Sequence, residues 1–228
     1  APDETVTVIT GPMYHSAPNA YGLYAFRYGA TVILQPRFDP EELLATIERD
    51  KVTHLHMVPT MFVRLLKLPE DVKRKYDLSS LRFVVHAAAP CPVHVKQAMI
   101  EWWGPVIYEY YGGTETGAVV FCDSKEWLAH PGTVGKAIDG AEVLVIGENG
   151  EELTKGATGE IVIAVETAFV DGLSVVVLHP VVAVLKVAGN AETQGFGDRP
   201  AERQLAVDRV VGAPRNAAVA GVVIGRAS

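Results

Sequence analysis

From Ala30 onward the chain alternates short apolar runs with stretches of helical period. "ATVILQP", residues 30–36, is β-branched and stops at Pro36, which predicts a buried strand. "DPEELLATIERD" follows with Asp39 as N-cap, Pro40 at the first helical position and Glu42 three residues after the cap. Leu43, Leu44 and Ile47 share one face of the helix this predicts. "VTHLHMV" predicts a second strand and "PTMFVRLLKL" a second helix, opened by Pro59. "LRFVVHAAA", "PVHVKQAMIEWW" and "PVIYEYY" continue the series as strand, helix and strand. Strands and helices at this spacing predict βαβ units, hence an α/β fold with a mostly parallel sheet and flanking helices.

The pattern changes near His130. "HPGTVGKAIDGAEVLVIGENGEELTKGATGEIVIA" sets short strand-like runs between glycine turns, with Glu148–Gly150 as a hairpin turn, and predicts a small antiparallel β subdomain. It changes again near Val165. About half of residues 166–228 are Val, Ala or Gly, Lys186 is their only lysine, and Tyr and Trp are absent. A segment without large anchors packs poorly. The expected organisation is an α/β subdomain over residues 1–128, a small β subdomain over 129–165 and a divergent tail over 166–228.

Composition narrows the function. The 228 residues are 49% hydrophobic and 21% charged, a globular balance with enough chain for a real core. The net charge of −7 speaks against nucleic acid, which needs clustered Lys and Arg. No apolar run approaches the roughly 20 residues of a membrane span. Cys91 and Cys122 form neither a disulfide framework nor a zinc signature, and the expected location is the cytoplasm.

Ligands of parallel sheets sit beyond the carboxyl ends of the strands, where "HAAAPCP" and "YYGGTET" both lie. In the latter, a tyrosine ring offers a platform for a purine, and Gly112 and Gly113 would let the backbone take positive φ close to a ligand. Thr114 offers a hydroxyl to a phosphate and Glu115 an oxygen to Mg²⁺. A polar turn after an edge strand would read the same way. "GTVGK", residues 132–136, is one residue short of a phosphate loop and has Ala137 in place of the hydroxyl. His54 and His56 share a strand face, but without a third ligand they read as packed histidines.

Together these segments resemble the AMP-forming adenylating superfamily: acyl-CoA synthetases, the adenylation domains of peptide synthetases, and luciferases. The likeness runs from about Thr10 to Ala164. "YYGGTET" resembles that family's Tyr-Gly-x-Thr-Glu motif and "RFVVHAAAPCP" its adenine loop. "PMYHS", residues 12–16, is similar to its Pro-x-x-His segment, and the block from His130 to the one closing its large domain. The resemblance implies that Tyr111 stacks on adenine beside Gly112 and Gly113, and that Ala87, Ala88, Ala89 and Pro90 line the adenine edge. Thr114 would bind the α-phosphate, Glu115 would hold magnesium, and His15 with Tyr14 would lie near the acyl channel or the reacting carboxylate. The implied activity is ATP-dependent acyl-CoA synthesis through an acyl-adenylate, with ATP, Mg²⁺ and coenzyme A and a small carboxylic acid as substrate. His86 stands where peptide-synthetase domains carry an acidic residue, which favours an uncharged fatty or aryl acid. The family's upstream phosphate loop and its catalytic lysine find no counterpart, so the chain reads as a fragment, with 166–228 a remnant of the family's small C-terminal domain or a shifted frame. Neither Asp198 nor Asp208 is assigned to the ribose. The alternative is a non-catalytic adenine-nucleotide-binding or scaffold module.

Overall fold

The structure, a computed structural model, describes residues 5–114, 117–147, 149–154, 157, 159–165 and 183–186. The chain divides into two compact units: residues 1–114 with Cys122–Gly135, and Glu115–Phe121 with residues 136–228.

The first unit is a sheet with helices on it. Its elements are β1 (Val6–Ile9), α1 (Ser16–Arg27), β2 (Thr31–Leu34), α2 (Pro40–Asp50), β3 (His54–Met57), α3 (Pro59–Leu66), α4 (Glu70–Lys73), β4 (Phe83–His86), α5 (Val93–Trp103) and β5 (Ile107–Gly113). The strands run parallel in the order β2-β1-β3-β4-β5. Cross-strand partners share a face, so Val8, Leu55, Val84 and Ile107 form one buried row and Met57, His86 and Glu109 the next. Leu43, Leu44, Ile47, Phe62, Leu65, Val95 and Met99 close over the apolar row as the core. Ile9, His56, Val85 and Tyr108 lie on the opposite face, where Gly22 of α1 brings its backbone against Ile9.

Helix α2 forms as its sequence dictates. The Asp39 carboxylate accepts from the Glu42 N–H at 3.0 Å, Pro40 supplies a preset φ, and Leu43, Leu44 and Ile47 are fully buried. Each of those three contributes on the order of 1.5–3 kcal/mol. Strand β2 departs from expectation: it is an edge strand rather than a buried one, with Thr31 and Leu34 exposed, because among the described residues only β1 pairs with it. Strand β1 and helix α1 fall before the first element read from the pattern. Pro18 and Gly22 interrupt the helical propensity of α1, and exposed Leu23, Tyr24 and Phe26 blur its polar face.

Strand β6 (Gly117–Cys122) and α6 (Ser124–Ala129) follow; from Cys122 to Gly135 the chain belongs to the first unit. The second unit is antiparallel throughout its described pairings. Val120 and Phe121 of β6 pair with β7 (Lys136–Ala137), and β8 (Ala141–Ile146), β9 (Glu160–Val165) and β10 (Ala183–Lys186) pair in the order β10-β9-β8. Leu144, Val145, Ile146, Ile161, Val162 and Ile163 are among its buried side chains. A turn after β8 is closed by the Gly147 N–H donating to Glu151 O at 2.8 Å, with Gly150 at φ 84°. Apart from β10, the tail expected over residues 166–228 lies outside the described residues. No helix among the described residues is long and apolar enough to cross a membrane.

Candidate functional site

Three of the segments singled out from sequence follow the carboxyl ends of parallel strands: residues 10–16 after β1, Ala87–Pro90 after β4, and Thr114 after β5. Two of them touch. Ser16 Oγ and Thr114 Oγ1, 98 positions apart in sequence, stand 3.1 Å from one another. His15 is the N-cap of α1 and its Nδ1 accepts from the Ala17 N–H at 3.4 Å, which turns the ring back over the first turn. The N-terminus of α1, where unpaired amide groups carry partial positive charge, therefore arrives at the turn that bears Thr114. Tyr14 beside it is 93% exposed.

Tyr111 is half-buried on β5. Its hydroxyl is enclosed yet has no hydrogen-bond partner among the described residues, and burial pushes its pKa up to about 12. Gly112 and Gly113 differ from expectation. They continue β5 as extended backbone and neither takes positive φ, because the strand runs to Gly113 before the turn begins. The left-handed conformation appears instead at Gly117, φ 68°, and at Ala88, φ 74°. A non-glycine residue in that region costs roughly 1–2 kcal/mol. Ala87 is buried, with its N–H on Met57 O at 3.4 Å, while Ala88, Ala89 and Pro90 are exposed. Glu115, the expected magnesium ligand, lies outside the described residues.

Behind these segments lies a buried polar group, of which only His86 was singled out from sequence. Lys96 of α5, fully buried, places Nζ 2.6 Å from Glu109 Oε2 and 5.2 Å from the centre of the Trp127 ring. His86, also fully buried, holds Nε2 3.5 Å from the same carboxylate, and neither of its ring nitrogens has a hydrogen-bond partner among the described residues. Burial, and then the charge of Lys96, pushes His86 down to about 3, so the ring is neutral at pH 7. Burial raises the Glu109 carboxyl against the opposing pull of Lys96. One signal was available: "VIYEYY" puts Glu109 on the same strand face as Ile107, a charged residue at an inward position.

His54 and His56 are packed strand histidines. His54 Nδ1 is 2.8 Å from Thr53 Oγ1, and His56 Nε2 is 3.2 Å from the Tyr110 hydroxyl, with the Tyr21 ring tilted against the His56 ring at 5.5 Å between centres. Cys91 and Cys122 are unbridged, and burial pushes their thiols up to about 12 and 11. A cavity of about 700 Å³ opens elsewhere, between the end of β2 and α2. It is shallow, rimmed by Arg37, Asp39, Glu41 and Arg49, and four strands away from β5. The segments singled out from sequence lie instead after β1, β4 and β5.

A family model described as AMP-binding enzyme matches residues 1–169. The chain belongs to the AMP-binding enzyme family. The probable CoA ligase CCL5 of Humulus lupulus is 34% identical over 166 residues, covering 69% of this chain and 29% of that protein. The chain thus spans about three-tenths of the length of this curated relative. Among solved structures, the amide bond synthetase McbA of Marinactinospora thermotolerans superposes with a TM-score of 0.64 at 26% identity, over 71% of this chain and 33% of its own. The o-succinylbenzoate CoA synthetase of Bacillus subtilis, in complex with an acyl-adenylate intermediate, gives 0.62 at 25% identity, over 72% and 32%. The mostly parallel α/β fold is that of the adenylate-forming enzymes.

Proposed function

We propose that this chain carries the nucleotide-binding part of an ATP-dependent acyl-CoA synthetase that works through an acyl-adenylate, with a fatty or aryl acid as substrate. The observation that carries the proposal is the contact of Ser16 with Thr114. It joins the His15 segment to the Thr114 turn, so two groups of residues assigned separately to one reaction meet in one place.

The roles follow from chemistry. Tyr111 offers its ring to adenine, and Ala87–Pro90 offer backbone groups to the purine edge. The Thr114 hydroxyl donates to an α-phosphate oxygen, and the positive end of α1 favours the same anion. In the first half-reaction a carboxylate oxygen attacks the α-phosphorus of ATP and pyrophosphate leaves. In the second, the thiol of coenzyme A attacks the acyl carbonyl and AMP leaves. Thr114 serves by donating into the charge that grows on the phosphate oxygens, and His15 by flanking the carboxylate. Magnesium, when bound, neutralises phosphate charge. It needs few protein ligands because phosphates and water complete its shell, which suits Glu115 as donor. The acyl-adenylate held by the Bacillus relative supports the route.

Thermal unfolding with and without a non-hydrolysable acyl-adenylate analogue tests the reading. A ligand at 100 times its dissociation constant stabilises by about 2.7 kcal/mol. The expected result is an upward shift that disappears in Tyr111→Ala. A sharp transition with no shift would refute it. Exchange of labelled pyrophosphate into ATP then separates an enzyme from a module that only binds.

A further inference from the structure

We propose that Lys96 and Glu109, with His86 against them, are positioning residues that hold the Ala87–Pro90 loop and the Tyr111–Thr114 segment in register for nucleotide. The inference rests on the nucleotide-binding reading above.

Each member is attached to one of the two segments. Lys96 lies near the start of α5, which begins three residues after Pro90. His86 is the last residue of β4, directly before Ala87. Glu109 precedes Tyr111 by two positions on β5, so both point to the same face. The 2.6 Å contact is thus a strut between the helix leaving one loop and the strand entering the other.

Stability does not explain the strut. A buried ion pair gains little over apolar groups of similar volume, and replacing such pairs is often neutral or stabilising. Lys96 is also badly placed for its own helix, since a cation near the N-terminus opposes the helix dipole. Direction distinguishes the pair from an apolar contact. The ammonium is confined between the Glu109 carboxylate and the Trp127 ring, itself buried, which leaves it a single placement. Ala88 gives a second, independent sign. Its left-handed conformation persists only where the surroundings impose it, and the loop that contains it is bounded by His86 and α5.

The test compares the full wild-type chain with Lys96→Met/Glu109→Gln, which removes both charges at similar volume, and with Glu109→Asp, which keeps both but shortens one arm. AMP binding is measured by calorimetry well below each unfolding midpoint. The paired variant is expected to unfold within a few degrees of wild type and to bind AMP at least tenfold more weakly. Glu109→Asp is expected to lose a similar factor, and it decides the matter should the paired variant fail to fold. Wild-type affinity in folded Glu109→Asp, or in the paired variant, overturns the positioning role and leaves the nucleotide reading intact. Failure of the wild-type chain to bind AMP overturns that reading, and this inference with it.

Discussion

Acidification is expected to weaken the first unit before its ordinary carboxylates titrate, because two buried histidines must stay neutral. His86 is pushed from 6.5 to about 3 by burial, then by Lys96 and His56; His56 is pushed to about 4 by burial, then by His15. A lowered pKa means that the unfolded chain takes up the proton first. The stabilisation is therefore complete above pH 6.5 and is lost as pH falls toward 4 and 3. By pH 5 each histidine has forfeited about 2 kcal/mol, at 1.36 kcal/mol per pH unit, so the pair forfeits about 4. Glu109 works the other way. Its raised pKa lets the folded state take up a proton first as pH falls, which offsets part of that loss; the histidines' share is still large beside the roughly 5–15 kcal/mol that holds a domain together. Urea unfolding followed by tryptophan fluorescence reads this unit alone, because Trp102, Trp103 and Trp127 all lie within it. With a urea slope of about 1–3 kcal/mol per molar, the midpoint should fall by about 1–2 M between pH 7.5 and 5.0. His56→Gln should remove about half of that dependence. A midpoint that ignores pH, or a His56→Gln chain with the wild-type dependence, would refute the reasoning.

Three further outcomes are expected. Ala88→Gly relieves the left-handed strain of about 1–2 kcal/mol at the cost of glycine's extra unfolded entropy, and should stabilise by about 0.5–1 kcal/mol in urea titration. Asp39→Ala removes the 3.0 Å cap of α2 and should cost about 1 kcal/mol by the same measurement. Tyr111→Phe removes a hydroxyl that has no partner among the described residues, so stability should hold or rise slightly and AMP affinity should stay within twofold of wild type; a tenfold loss would assign the hydroxyl, not the ring, to the ligand.

Where one physical signal ruled, the residues spoke for themselves. The α2 cap, its Pro40 and its buried Leu43, Leu44 and Ile47 follow from local rules of capping and period. So do strands β3, β4 and β5, whose short runs alternate with helical stretches at the spacing of βαβ units. Membership of the family was legible from Thr114 and its neighbours, because short motifs in a fixed order survive without any fold calculation. Long-range pairing was not legible. Nothing local says that β2 has one neighbour and β3 has two, so the exposure of Leu34 beside the burial of Leu55 was decided by the sheet order. Gly112 and Gly113 permit positive φ but do not require it, and the pairing that carries β5 to Gly113 keeps them extended. The approach of Ser16 to Thr114, and of Lys96 to Glu109, depends on side chains that come within hydrogen-bond reach only once β1, β4 and β5 lie in one sheet. Composition and period act over a few residues and set the elements. Contacts between elements are chosen by how whole faces pack, and that choice belongs to the tertiary structure.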